Sequence, residues 1–253
     1  MEILKKNEVW DDSTDTFAHT IIIFRKNDEV YRATIQQRLL PNDEVDIQQI
    51  KGNLISSEHI QPHIQPSILP AITLLKDPLL IAQSFVKQPN LLFCGNLNIQ
   101  QLVLQEVQVY EALKPFPHPN IVQYRGCVVT ANRISGICLK RLELTLVQRI
   151  QALDQPINSR ACLMGIESGI QHLHRHGLIH CDINPSNIMF ERKNDTPIII
   201  DFDSCRRRGD LLGEKRGTYE FTDPTVSHAS DRLDFMGLEK INEWLENKKI
   251  KDS

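Results

Sequence analysis

The run His180-Cys181-Asp182-Ile183-Asn184-Pro185-Ser186-Asn187 is followed, across a short connection, by Ile199-Ile200-Asp201-Phe202-Asp203. Three oxygen-bearing side chains stand here at the spacing that phosphoryl transfer from a magnesium-bound nucleotide requires. Asp182 can accept the proton of an attacking hydroxyl. Asn187, five residues on, and Asp201, nineteen on, can hold Mg2+ against phosphate oxygens, because that cation takes hard oxygen ligands. The octet alone also fits a capped turn. The apolar strand ending in Asp201-Phe202 separates the two readings.

These residues need a scaffold, and the hydrophobic periodicity supplies one. Residues 160–176 read as a helix with Leu163, Ile166, Ile170 and Leu173 on one face, Asn158 or Ser159 as cap and Gly177 as its end. Ile188–Phe190 and Pro197–Ile200 form a hairpin around Lys193-Asn194-Asp195. Upstream, Leu80–Lys87 reads as one strand stopped by Pro89. Residues 99–114 read as a helix, and Val122–Val129 and Arg133–Leu139 as two strands around Thr130-Ala131-Asn132. Asp234–Asn247 is a last helix with lysines at its C-terminal end. Near the N-terminus, Thr20–Phe24 and Val30–Ile35 predict a hairpin, followed by a polar connection punctuated by Pro41, Pro62, Pro66 and Pro70.

From about Leu80 to Leu245 the chain resembles a eukaryotic protein kinase, especially the divergent kinase-like proteins numerous in fungi. The octet is similar to the catalytic loop H-R-D-L-x-x-x-N, and Asp201-Phe202 to its D-F-G partner. The resemblance extends to Pro117-His118-Pro119-Asn120-Ile121-Val122, Leu173-His174 and Gly217-Thr218. It implies an α+β, protein kinase-like two-lobed fold, with a β-rich N-lobe and a truncated helical C-lobe. It implies that Lys87 holds the nucleotide phosphates and that Glu106, nineteen residues on, orients it through an ion pair. It implies further that Asp234 braces the catalytic loop, that Met189 floors the adenine site, and that Tyr110, Phe202 and His180 stack as the family's hydrophobic spine. Thr218 would help close the loop around Asp182.

Departures from the family pattern are several. No glycine occurs between Gly52 and Gly95, so no glycine-rich loop precedes Lys87. Phe85 stands where the family places a small residue over the adenine, and a phenyl ring there narrows or fills the pocket. Asn184 replaces the catalytic-loop lysine, a lost cation worth on the order of 10²-fold in rate. Cys181 replaces the arginine that reads activation-loop phosphates, and Asp203 replaces the D-F-G glycine. The chain then ends at Ser253, without the helices that usually dock peptide substrates. Arg206-Arg207-Arg208 reads either as a solvated basic loop or as a phosphate contact.

The bulk numbers bound the rest. A net charge of −3 argues against a nucleic-acid or membrane-surface protein, and no run of about 18 apolar residues predicts a transmembrane helix. Six cysteines without a C-x-x-C pair read as reduced thiols, hence a cytoplasmic or nuclear protein. His172, His174, His176 and His180 raise a metal site, but the family shows the same run before its loop. The expected organisation is an N-terminal extension over 1–65, carrying the hairpin and packed on or part of the N-lobe, and a kinase-like domain over 66–253. Its N-lobe runs to about 138, its hinge lies near Leu139–Glu143, and its C-lobe covers about 144–253. The expected activity is phosphoryl transfer to a protein Ser or Thr hydroxyl with ATP and Mg2+. Asp182 and Asn184 would be the catalytic pair, Lys87, Glu106, Met189 and Phe85 the nucleotide contacts, and Asn187 and Asp201 the metal ligands. A pseudokinase that binds proteins and a small-molecule phosphotransferase are the alternatives. The last helix predicts an apolar face covered by residues 1–65, by a second copy or by a partner chain.

Overall fold

A computed structural model describes residues 2–11, 14, 16–27, 29–39, 47–64, 72–93, 98–151, 157–191, 194–213 and 217–251. Pro41, Pro66, Pro70, Cys94, Gly95, Lys193 and the 65/66 boundary lie outside them.

The chain begins with a four-stranded antiparallel meander, β1 (Glu2–Asp11), β2 (Thr16–Lys26), β3 (Glu29–Ile35) and β4 (Asn53–Leu54). The expected hairpin is its centre, and β1 was not expected. Ile22, Phe24, Ala33 and Leu39 form a core of its own. Ile21 and Ile23, on the opposite face of β2, are also buried, and β2 packs on a 3-10 turn at Leu91–Phe93. The sheet thus lies beside the segment that follows Lys87.

Between the sheet and the lobes runs α1 (Ser57–Ile60), then α2 (Pro78–Ala82) and β5 (Ser84–Lys87). The single strand expected over Leu80–Lys87 is therefore a helix and a strand. Asp77 accepts from the amides of Leu79 and Leu80, and Pro78 supplies a fixed φ at the first helical position. This cap and proline outweigh the apolar run that follows. β5 pairs with β7 (Arg133–Lys140), which pairs with β6 (Tyr124–Thr130), in the order β5-β7-β6. Against this sheet lies α3 (Ile99–Leu113), capped by Asn98, with Val103, Val107, Tyr110 and Leu113 buried.

The second lobe opens with β8 (Leu144–Thr145) and α4 (Leu146–Gln151), then α5 (Ser159–Arg175), capped by Asn158. Next come β9 (Leu178–Ile179), a 3-10 turn at Pro185–Asn187, β10 (Ile188–Glu191), β11 (Asn194–Ile199), β12 (Arg206–Arg207) and α6 (Asp231–Lys251). β10 is the middle strand between β11 and β8, and β12 pairs with β9. One continuous hydrophobic core joins α3, the β6–β7 sheet, α5, the loop strands and α6. Both lobes therefore hold the cleft between them against the same packed interior. Among the described residues no helix is long and apolar enough to cross a membrane.

Candidate active site

β5 alternates, so Lys87 and Phe85 share a face while Ser84 is buried on the other. α3 turns Glu106 inward, 3% exposed among its leucines and valines. A carboxylate so placed needs a cation. Lys87 Nζ supplies it, 2.7 and 2.8 Å from the two carboxylate oxygens, and lies 2.8 Å from Asp201 Oδ1. Burial lowers the Lys87 ammonium, but Glu106 and then Asp201 outweigh it and hold its pKa above the ordinary lysine range. Burial pushes the Glu106 carboxyl up against the pull of Lys87. The strand, the helix and the segment after β11 are thus tied through one ammonium.

The second group gathers on the turn after β9. Asp182 Oδ1 accepts from Asn184 Nδ2 at 2.8 Å and from Thr218 N and Oγ1, both at 2.9 Å. Asp182 Oδ2 accepts from Asn187 Nδ2 at 3.0 Å. Asn184 Nδ2 also donates to Thr218 Oγ1. Asn184 Oδ1 accepts from the amides of Ser186 and Asn187, so it caps the short turn that presents Asn187. Where a lysine would place charge, this side chain orients the carboxylate. Ile200 N donates to Asn187 O at 3.0 Å, which brings the backbone beside Asp201 to the backbone of Asn187.

Two non-glycine residues of the cleft sit at positive φ, Cys181 at 64° and Asp201 at 63°. Such positions are strained and persist only where surroundings over-determine them. Cys181 is fixed from below. Asp234, fully buried on α6, accepts from the amides of His180 and Cys181 at 2.9 and 2.8 Å, and from His174 Nε2 at 2.8 Å.

An aromatic column connects the two groups. Tyr124 stacks on Tyr110 with centroids 5.3 Å apart, Tyr110 meets Phe202 edge-on at 5.2 Å, and Phe202 meets His180 at 5.1 Å. Sequence reasoning missed Tyr124. It lies on β6 fourteen residues from Tyr110, with no helical spacing to mark it.

Phe85 is 49% exposed and Met189 partly buried, and neither belongs to the main core. Of Arg206-Arg207-Arg208, only Arg206 departs from a solvated basic segment; Arg207 and Arg208 are exposed. Arg206 is buried and donates to the carbonyls of Asp203 and Cys205, and Arg208 pairs with Asp231 at 3.0 Å. His172 stacks on His118 with centroids 4.6 Å apart and meets His176 edge-on at 4.8 Å. Among the described residues no cluster of three His, Cys, Asp or Glu is placed to hold a metal ion. A cation at Asn187 and Asp201 would need phosphate oxygens to complete its shell, as Mg2+ commonly does. Asn187 fits that demand: its amide nitrogen is spent on Asp182, which leaves its carbonyl oxygen as the ligand atom.

A family model described as protein kinase domain matches residues 94–232, more than half of the chain, and begins just after Phe85 and Lys87. Smooth muscle myosin light chain kinase of Gallus gallus is 34% identical over 119 residues, 43% of this chain and 6% of that protein. Serine/threonine-protein kinase TAO3 of Xenopus laevis is 29% identical over 147 residues, 57% of this chain and 16% of that protein. The chain thus spans a small part of these relatives. A chain in the crystal structure of the yeast RNA Pol II CTD kinase CTDK-1 complex is similar in fold, with a TM-score of 0.50 at 20% identity, over 58% of this chain and 50% of that one.

Proposed function

The chain belongs to the protein kinase domain family, and on that premise we propose that it transfers a phosphoryl group from ATP, with Mg2+, to a serine or threonine hydroxyl of a protein. The observation that carries this reading is the joint assembly of the cleft. Lys87 is held by Glu106 and Asp201 while Asp182 is held by Asn187 and Thr218.

Bound Mg-ATP would supply the transferable phosphoryl group and the cation that neutralises its charge. Lys87 would hold the phosphates, with Glu106 keeping its ammonium pointed into the cleft. Asn187 and Asp201 would hold the cation. Asp182 takes the hydroxyl proton. Its Oδ1 carries three hydrogen bonds and its Oδ2 carries one, so Oδ2 is the oxygen with room for a further donor. Asn184 and Thr218 keep that carboxylate from rotating. Asn184 adds no positive charge, so transfer is expected to be slower than in relatives with a lysine there.

Label transfer from γ-labelled ATP to a generic protein substrate and to the chain itself, with and without Mg2+, tests the reading. Asp182→Asn should abolish transfer with Mg-dependent thermal stabilisation retained, since the base acts on the acceptor hydroxyl. Asp201→Asn should instead remove the Mg-dependent stabilisation. A second reading, a nucleotide-binding interaction module, draws on β5. The strand that carries Lys87 is at the edge of its sheet and follows α2, not a glycine-rich strand pair. Mg-dependent stabilisation without any label transfer would select it.

A further inference from the structure

Glu111 lies five residues beyond Glu106 on α3, and at 100° per residue it faces away from the cleft. Its half-buried carboxylate is engaged on both oxygens. Oε1 accepts from Thr73 N at 2.5 Å and from Tyr124 OH at 2.7 Å, and Oε2 accepts from Thr73 Oγ1 at 3.0 Å. Lys114 Nζ donates to Thr73 Oγ1 at 2.6 Å, so the threonine hydroxyl relays one donor onward to the carboxylate. Hydrogen bonds to a charged acceptor are the stronger kind.

The segment around Thr73 is also sewn to β6. Cys127 N donates to Thr73 O at 2.7 Å, and Leu75 N donates to Cys127 O at 2.9 Å. Gly126 makes room for this. It sits in a bulge of β6 at φ 133°, and a Cβ there would stand 2.8 Å from Thr73 O. The same N-terminal stretch grips the start of α3: α1 packs on it, and Gln100 Nε2 donates to Glu58 O. α3 is therefore held at its first and last turns by chain that precedes β5. Glu111 also aims the phenol of Tyr124, whose ring tops the aromatic column reaching Phe202.

We propose that residues 72–75 are a built-in strap that positions α3, and with it Glu106, with Glu111 and Thr73 as its positioning residues. The kinetic part rests on the phosphotransfer reading; the structural part does not. Cys181 removes one family route to an ordered cleft, and the strap provides an order that needs no modification.

The test uses the full chain with Glu111→Ala, the milder Thr73→Val and the conservative Thr73→Ser. Hydrogen exchange at the amides of α3 is compared with that at α5, alongside label transfer. The expected result is faster exchange over 99–113 in Glu111→Ala and Thr73→Val, unchanged exchange over 159–175, and wild-type behaviour in Thr73→Ser. kcat should fall about tenfold in the first two, with KM for the acceptor unchanged. Thr73→Val decides the matter if Glu111→Ala does not fold. Unaltered α3 exchange, or equal loss at α3 and α5, overturns the strap. If the wild type transfers no label, the phosphotransfer reading fails, and the exchange comparison alone supports or overturns the strap.

Discussion

The carboxylate of Asp182 accepts from Asn184, Asn187 and Thr218, and the last of these reaches it only because Gly217 precedes it. Gly217 has φ 80°, and a Cβ there would stand 2.6 Å from Cys181 O. That neighbour is backbone, braced by Asp234, and cannot yield. Gly217→Ala is therefore expected to push Thr218 off Asp182. Label transfer should fall by about 10²-fold, with Mg-dependent thermal stabilisation close to wild type. Loss of both together would show that the substitution disturbs the lobe and not the carboxylate alone. At this scale the sequence was informative wherever chemistry fixes type and spacing within one segment. Asp182, Asn187 and Asp201 are such residues, whereas the pairing of Lys87 with Glu106 was implied by the resemblance to the kinase family, with the apolar surroundings of Glu106 in support. Tyr124 and Glu111 carried no such mark, because their partners lie on other elements. The role of Asn184 was half legible: the missing charge was visible, the hydrogen bonds that replace it were not.

Among the elements, the junction of α5 with the segment after α3 carries a titratable stack. His118 accepts from Asn120 N through Nδ1, and His172 Nε2 donates to Phe116 O at 2.9 Å. Burial, then Arg175, lowers His118; burial, then His118 and His176, lowers His172. Both folded-state values lie below the ordinary 6.5. The unfolded chain thus takes up protons first, and stability is lost as pH falls below 6.5 toward the folded values. The urea midpoint should drop between pH 7.5 and pH 5.5, and His172→Phe, which keeps a ring in the stack, should flatten that slope. An unchanged slope would place the effect elsewhere. α3 was legible from its 3.6-residue period alone, and α5 from that period together with a cap at Asn158 or Ser159; the Asn98 cap of α3 was seen only in the structure. Two elements were not legible. α2 hid inside an apolar run, though Asp77-Pro78 is a helix start by cap and fixed φ. β1 has no clean alternation, since bulges between Ile3 and Lys5 and between Val9 and Trp10 break its period.

For the whole molecule, the decisive feature is how unequally its hydrophobic clusters reach: among the described residues there are three, of which Ile179, Cys181, Ala229 and Leu233 form a small one within the second lobe, and the other two differ most. The main core runs through both lobes, so cleft, spine and last helix should unfold together. The N-terminal sheet closes on its own small cluster of Ile22, Phe24, Ala33 and Leu39. A unit with so little buried apolar surface sits at the low end of local stability. The chain's two tryptophans divide between these units. Trp10 is on β1, beside Phe17 and under Arg38, and Trp244 is on α6 against the main core. Urea unfolding followed in Trp244→Phe reads the sheet, and in Trp10→Phe reads the lobes. The sheet should melt at the lower urea concentration. Ile22→Ala, which leaves a cavity in the small cluster and costs about 2–4 kcal/mol, should lower the Trp10 midpoint and leave the Trp244 midpoint in place. The contact of β2 with Leu91–Phe93 sets the limit of that independence. If it couples the two units strongly, both midpoints coincide and move together, and the sheet is then part of the two lobes' single cooperative transition.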